Sequence, residues 1–461
     1  MTDDFADLDA YLSATAHARL TDFLELLRIP SISALPEYAA DCQAAAEWIA
    51  GRLERAGLEH VEIAATGGHP VVYADWLHAP GAPTAIIYAH YDVQPADPLE
   101  SWVKPPFDPR VEDGHVYARG AADDKSHVHM LISAAQAWLA VRKRLPVNLR
   151  IVFEGEEESG AENLDHWLAA NKSRLAADLA VISDTGFFEG NVPAMTTGLR
   201  GMMYAQLDVD GSRTDLHSGG YGGSVRNPAH VLSEIIAGLH TPDGRVDVPG
   251  FYDDVRPPTA KERAEAANLP FDEAEYMASI GVGTLFGEPG FSTVERRSAR
   301  PTLDINGLWG GFQGDGSKTI IPASAHAKLS CRLVPDQDPE RIFAKVHERV
   351  MTLAPEGVSV SLTYMNGGMP MLTPIDHPGA DAAARAIEDV FGRPPLYVRE
   401  GGSIPVAASF ASILGLPVVL LGFMNPDCGA HAPNESLDLA NWEAGLRTTV
   451  RYWEALASLP R

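Results

Sequence analysis

Cysteine is nearly absent: Cys42, Cys331 and Cys428 are the only three in 461 residues. They are too few and too scattered for a disulfide framework or a thiolate metal site, and they fit a reducing compartment. Cys428 stands three residues before His431, but the other candidate ligands are hard oxygens, so it reads as a bystander thiol. Long apolar runs are missing too. No stretch reaches the roughly 18 uninterrupted apolar residues of a membrane span. The start, Met1-Thr2-Asp3-Asp4-Phe5, is acidic, where a secretory leader is basic and then apolar. The expected location is cytoplasmic. Positive charge is scarce: 36 Lys and Arg stand against 62 Asp and Glu, a net −26. Such a surface repels phosphates, so neither nucleic acid nor an anionic membrane is an expected partner. Gly-x-Ser-x-Gly and His-Glu-x-x-His are both lacking, which leaves serine-hydrolase and thermolysin-like readings without support. Gly311 to Thr319 only imitates a P-loop. Ser317 separates Gly316 from Lys318, and a strand-like run with Pro322 follows where that motif requires a helix.

What is present begins with a 45% hydrophobic fraction. Over this length that suits two cores rather than one. The N-terminal third alternates helical periodicity (residues 17–28 and 41–57) with strand-like runs such as Val71-Val72-Tyr73-Ala74 and residues 84–89. A long helix is expected over 126–144, then strands at 149–153 and 179–183. This alternation predicts an α/β domain with a mixed, mostly parallel sheet between helices. The order then changes. Strand 202–210, helix 228–239, strands 301–309 and 319–334, helix 338–353 and strand 357–365 spell βαββαβ, the ferredoxin-like arrangement. A polar insertion, roughly residues 241 to 300, interrupts it. After about residue 375, alternation of helix and strand resumes. The expected domains are 1–201 with 371–461, interrupted by 202–370.

Five short segments carry metal-ligand chemistry: His90-Tyr91-Asp92, Asp123-Asp124-Lys125, Glu157-Glu158-Ser159-Gly160, Ser183-Asp184 and Ala430-His431. Four follow apolar, strand-like runs, and ligands gather beyond the carboxyl ends of strands in open α/β sheets. His90 and Asp92, two apart on extended chain, point the same way. Asp92 is then either a ligand or the carboxylate that orients a metal-bound histidine. Asp123 has a bland reading, an Asp-Asp helix cap, and a sharper one, a carboxylate bridging two metals. Glu157 and Glu158 are adjacent and point oppositely, so one suits metal and the other the attacking water. Two histidines with three carboxylates suit Zn²⁺, with Mn²⁺ or Co²⁺ as alternatives; a dedicated Ca²⁺ site avoids imidazole. His127 and His129 diverge on one helix and cannot easily share a metal. Two features suit a substrate carboxylate. Arg332 is one, its bland alternative being a surface salt bridge. The other is the turn at Gly402-Ser403, ahead of a helix whose first position is Ile404 or Pro405.

At these residues the chain resembles the aminoacylase/carnosinase family of two-zinc metallopeptidases, nearest its cytosolic, carnosinase-like dipeptidases. The matching strings are His90 to Pro95, Arg119 to Lys125, Phe153 to Gly160, Asp215-Leu216-His217-Ser218-Gly219, Glu400 to Pro405 and Ala430-His431. The resemblance implies that His90, Asp123 and Asp184 hold one metal, and Asp123, Glu158 and His431 the other. It also implies a cis peptide at Asp123-Asp124, Asp92 behind His90, and Glu157 as general base. His217 is implied to serve the active site of the other subunit, which makes a homodimer part of the machine. Thr319 matches a carboxylate contact and Glu400 a residue near the substrate amine. Asn366 departs from the family's histidine at that place. It keeps a donor and loses a possible charge. Residues 202–370 become a lid and dimerisation domain.

The expected activity is hydrolysis of a dipeptide by a bridging hydroxide, with Glu157 taking its proton. An aminoacylase or carboxypeptidase of the same family is the alternative. A catalytically inert metal-binding regulatory protein is a reading from another class, against which Glu157 argues.

Overall fold

The computed structural model describes residues 5–402 and 404–459. The chain divides into two compact units. One comprises Met1–Thr197, Thr373–Val398 and Ser409–Arg461, the other Gly198–Leu372 and Arg399–Ala408.

The first unit is built on a six-stranded sheet. Its strands are β1 (Glu59–Ala64), β2 (Val71–Trp76), β3 (Thr84–His90), β4 (Asn148–Glu154), β5 (Leu179–Ile182) and β10 (Val418–Leu420), in the order β1-β2-β4-β3-β5-β10. β1 and β2 run antiparallel to their neighbours, and β4, β3, β5 and β10 are parallel. β3 is buried from Ala85 to His90. A parallel strand covered on both faces reads as such a continuous apolar run. Truncating one of its large side chains, as in Ile87→Ala, removes about 2–5 kcal/mol. Parallel register sets Tyr88 beside Ile182 and His90 beside Glu154. The segments that leave these strands therefore start from one edge.

Helix α3 (Lys125–Arg142) packs against α1 (Ala6–Leu27), α2 (Ala39–Ala56) and α6 (Leu439–Ala457). Every residue of α3 from Lys125 to Ala135 is buried. A helix covered all round is a core element, and its first turn is held firmly.

The second unit carries an antiparallel sheet of β6 (Gly201–Asp210), β7 (Thr302–Gly310), β8 (Ser324–Leu333) and β9 (Ser359–Gly368), ordered β7-β8-β6-β9. Helices α4 (Pro228–Ala237) and α5 (Pro339–Leu353) pack on it. On β6, Met203, Ala205, Leu207 and Val209 are buried while the alternate residues are partly exposed, the signature of a sheet with one covered face. The βαββαβ order is present. The strand expected over 319–334 is broken in two: Ile320–Ile321 pairs with Leu216–His217, and β8 starts only at Ser324. Pro322 has no N–H to give a ladder, which separates them. The polar insertion contains three short helices, Ala260–Asn268, Glu273–Ile280 and Thr293–Ser298. Two of them start from reciprocal caps, Thr259 with Glu262 and Ser292 with Glu295, a pattern visible in the sequence. Among the described residues no helix is long and apolar enough to cross a membrane.

Candidate metal centre

The first unit gathers two neighbouring groups of ligand atoms at the carboxyl edge of its sheet. His90, Asp124 and Asp184 form one, and Asp123, Glu158 and His431 the other. Asp123 joins them: its Oδ1 is 3.0 Å from His90 Nε2 and its Oδ2 is 3.1 Å from His431 Nε2. Asp184 Oδ1 lies 3.9 Å from His90 Nε2, and Glu158 Oε2 lies 3.2 Å from His431 Nε2. His90 comes from the last position of β3, Asp184 from just past β5, and Glu158 from a single turn, Glu157–Ser159, after β4.

The supporting contacts explain why the cluster holds its shape. Asp92 accepts the backbone N–H of Glu157 at 3.2 Å and of Glu158 at 3.0 Å, and the Ser33 hydroxyl at 2.6 Å. It therefore fixes the two-glutamate turn as well as standing 3.4 Å from His90 Nδ1. Gln94 donates to Glu158 Oε2 at 2.9 Å. The peptide bond between Asp123 and Asp124 is cis. Asp124 sits at the N-cap position of α3 but makes no capping bond, so the bland helix-cap reading of the Asp-Asp pair fails for it. Its Oδ2 accepts the His90 N–H at 3.1 Å, and its Oδ1 meets the His127 ring. His127 Nε2 accepts the Phe423 N–H at 2.9 Å, so Nδ1 carries the proton given to Asp124. Burial holds the His127 pKa down to about 3, and the ring is neutral.

Glu435 was not anticipated from the sequence. Fully buried, it accepts Arg119 Nη1 at 2.8 Å and the N–H groups of Gly120, Ala122 and Asp123 at 2.9, 2.8 and 3.0 Å. It moors the loop that presents Asp123. In an Asn-Glu-Ser stretch it looks like solvated turn. The one hint was that a buried Arg119 needs a carboxylate.

The electrostatics test whether cations belong here. Asp92, Asp123, Asp124, Glu157, Glu158 and Asp184 crowd together, and among the described residues no Lys or Arg pairs with any of them. Lys125 points elsewhere, donating to the Leu26 and Ile29 carbonyls. Burial raises the pKa of Asp184, and Asp124 and Asp123 add repulsion against the pull of His90. Burial lifts Glu157 to about 7; His90 opposes this, while Glu158, Asp92 and Asp123 reinforce it. His431 is lifted to about 10 by its bonds to Asp123 and Glu158. So many buried carboxylates need positive charge, and divalent ions would suit this hard O/N donor set. Cys428 is buried against Ala122 and Met424 and belongs to neither group of candidate ligands.

The remaining residues singled out in the sequence lie in the second unit. His217 is exposed, and its Nδ1 accepts the Gly219 N–H at 2.9 Å, so the neutral ring carries its hydrogen on Nε2. Thr319 is exposed next to it, its carbonyl accepting the Ser218 N–H at 3.0 Å. Arg332 is on β8 opposite Thr302. Asn366 is exposed on β9 opposite Tyr204, at an irregularity in the register. Glu400 ends the strand Leu396–Glu400, and the Gly402 carbonyl accepts the Arg200 N–H at 3.1 Å. Ser403 lies outside the described residues.

Comparison with known proteins gives consistent findings. The model of peptidase family M20/M25/M40 matches residues 86–455. A Cys-Gly metallodipeptidase of Schizosaccharomyces pombe is 36% identical, over 85% of this chain and 83% of that one. The human Beta-Ala-His dipeptidase is 33% identical, over 85% of this chain and 78% of the relative. The crystal structure of an M20 family metallo-carboxypeptidase from Sulfolobus solfataricus superposes with a TM-score of 0.82 at 31% identity, covering 96% of this chain and 99% of that one.

Proposed function

The chain belongs to peptidase family M20/M25/M40, and on that premise we propose that it hydrolyses the peptide bond of dipeptides in a metal-dependent reaction. It is a hydrolase and a metallopeptidase. The observation that carries the reading is the placement of Asp123 between His90 and His431 with Glu157 beside it. The dipeptidases among its relatives support a dipeptide over an acyl amino acid or a longer peptide.

His90 and Asp184 would hold one ion, Glu158 and His431 the other, and Asp123 both. Asp124 is a further oxygen beside the first. Zn²⁺ is the expected metal, with Mn²⁺ or Co²⁺ as alternatives. When bound, the ions would lower the pKa of a water and polarise the scissile carbonyl. Glu157 takes the proton of the attacking water and passes it to the leaving amine nitrogen. Asp92 keeps Glu157 and Glu158 in place through their backbone N–H groups.

Substrate reading falls to the second unit. His217 Nε2–H is a donor for the oxyanion, given in trans within a homodimer. Arg332, Thr319, Gly402 and Ser403 are assigned to the substrate carboxylate, and Glu400 to the free amine. Asn366 sets the preference for the leaving residue. Three unpaired cysteines fit a cytoplasmic protein.

The test is a panel of dipeptides, tripeptides and N-acyl amino acids, assayed with zinc and with manganese, before and after chelation. Dipeptides should be turned over fastest, and chelation should abolish turnover. Full activity after complete metal removal would refute the mechanism, and preference for acyl amino acids would refute the substrate class.

A further inference from the structure

The face of the second unit's sheet turned away from its core carries an aspartate, a histidine and a serine in hydrogen-bond sequence. Asp208 on β6 and His326 on β8 are directly opposite each other in the register. Both alternate along their strands with buried residues, Leu207 and Val209 around the one, Ala325 and Ala327 around the other, and so share the outer face. His326 Nδ1 is 2.6 Å from Asp208 Oδ1, and the Ser324 hydroxyl is 2.9 Å from His326 Nε2. Ser324 is two residues before His326 on the same strand, hence on the same face. A carboxylate only accepts hydrogen bonds. Nδ1 therefore carries the hydrogen of the ring, and Nε2 receives the one from Ser324. Gln206 also donates to Asp208 Oδ1, at 2.9 Å, and steadies the carboxylate. On the other side of His326, Trp309 of β7 is its register partner. The two rings stack with centroids 5.2 Å apart and planes 21° apart. The imidazole is thus held at both nitrogens and on its flat side.

Carboxylate, imidazole and hydroxyl in this order are what activates a serine, and the arrangement is recognised by geometry rather than by sequence position. A Gly-x-Ser-x-Gly elbow is one way to present such a serine; here a strand does so. Ser324 is only partly buried, and β7 beside it runs into Gly310-Gly311. A Cβ on Gly311 would meet nothing within 4 Å, which leaves space there for a small molecule. We propose that Ser324 is a nucleophile, activated by His326 and Asp208, that hydrolyses small activated esters. Its oxygen bonds to the ester carbonyl carbon while its proton passes to His326 Nε2. The bond to the leaving oxygen breaks, and that oxygen takes the proton from Nε2. Water then attacks the acyl-serine by the same route, giving the free acid and restoring the hydroxyl. Trp309, 37% exposed, offers the ester an apolar side. Esters rather than amides suit the site, because a nucleophile with a proton carrier can expel a good leaving group without further help. The residues are distinct from those assigned to dipeptide hydrolysis, and the proposal does not rest on that reading.

Two measurements on the full-length, metal-loaded protein test this. The first treats the parent with a fluorophosphonate, which an activated serine displaces with loss of fluoride, and locates the label by peptide mass spectrometry. Labelling of Ser324 is expected, and it is read without any variant having to fold. The second follows turnover of p-nitrophenyl acetate. Proton transfer by a positioned side chain supplies about 10²–10⁴-fold, so Ser324→Ala and His326→Gln should each lower ester turnover by at least about tenfold, with the melting temperature unchanged in Ser324→Ala. Absence of label at Ser324 overturns the proposal. So does a smaller fall in ester turnover in Ser324→Ala, which would move that hydrolysis elsewhere, the metal centre included.

Discussion

Removing the Glu435 carboxylate should damage the protein far more than its place in a polar turn suggests. Glu435→Ala takes away four acceptor contacts at once, one to a guanidinium and three to backbone N–H groups. Arg119 is only 1% exposed. It would keep its 3.2 Å bond to the Pro95 carbonyl and its place over the Trp102 ring, 5.5 Å from the centroid, but no carboxylate. Breaking a buried ion pair from one side costs about 3–5 kcal/mol. Each orphaned N–H adds about 1–3 kcal/mol unless water reaches it. Partial relaxation makes about 5 kcal/mol a fair centre. For a unit of this size, about 2–4 °C of melting temperature go with each kcal/mol, so thermal unfolding should fall by about 10–20 °C. A double variant, Arg119→Met with Glu435→Leu, should be milder than Glu435→Ala because it removes both charges together. The same lesion frees the backbone of Asp123, so zinc affinity should drop by about 10–100-fold, as for other groups that orient a ligand. A melting temperature within 2 °C of the parent, together with unchanged zinc affinity, would refute the assignment of Glu435 as the mooring of this loop.

Glu157→Gln should lower kcat by about 10²–10⁴-fold while metal content, read by elemental analysis, stays at the parental level; lost metal would make Glu157 a ligand instead. His217→Ala and Glu157→Ala should each be nearly inactive, yet re-assembled as heterodimers they should regain activity through one intact site; purified heterodimers without activity would remove His217 from the partner's chemistry. His129 is buried against Phe23, Trp48 and Trp442, and burial, helped by Arg19 and Arg52, holds its pKa near 3. The unfolded chain takes up that proton near pH 6.5, so the native state is fully favoured above that pH and loses stability as pH falls toward 3, by up to about 1.4 kcal/mol per unit. His129→Phe should flatten this part of the stability profile, and an unchanged slope in denaturant titrations across pH 4–6 would contradict the burial argument.

The gathering of His90, Asp123, Glu158, Asp184 and His431 was legible because each follows a strand or opens a helix whose pattern is plain in the sequence. A run such as Ala85-Ile86-Ile87-Tyr88-Ala89 announces both the strand and where it must stop. What stayed hidden depends on partners brought in by folding. Asp124 looks like a helix cap until the His90 N–H and the His127 ring are found on its two oxygens. His127 looks like one of two idle helical histidines, because its second partner, Phe423, is 296 residues away. Glu435 is hidden for the same reason, 316 residues from Arg119. The division of the strand at Pro322 follows from a missing N–H, a local signal outweighed by the apolar residues around it. The helices of the insertion stayed hidden because two of them, Ala260–Asn268 and Glu273–Ile280, bury no residue and so lack the apolar stripe that marks the others.

The most direct measurement is an anomalous difference map from crystals grown with zinc, recorded for the parent and for Asp123→Asn. Two peaks about 3.5–4 Å apart are expected in the parent, one beside His90 and Asp184, the other beside Glu158 and His431, with Asp123 between them. At least one should weaken or vanish in the variant. A single peak in the parent, or two undiminished peaks in Asp123→Asn, would contradict a shared carboxylate at the centre of this site.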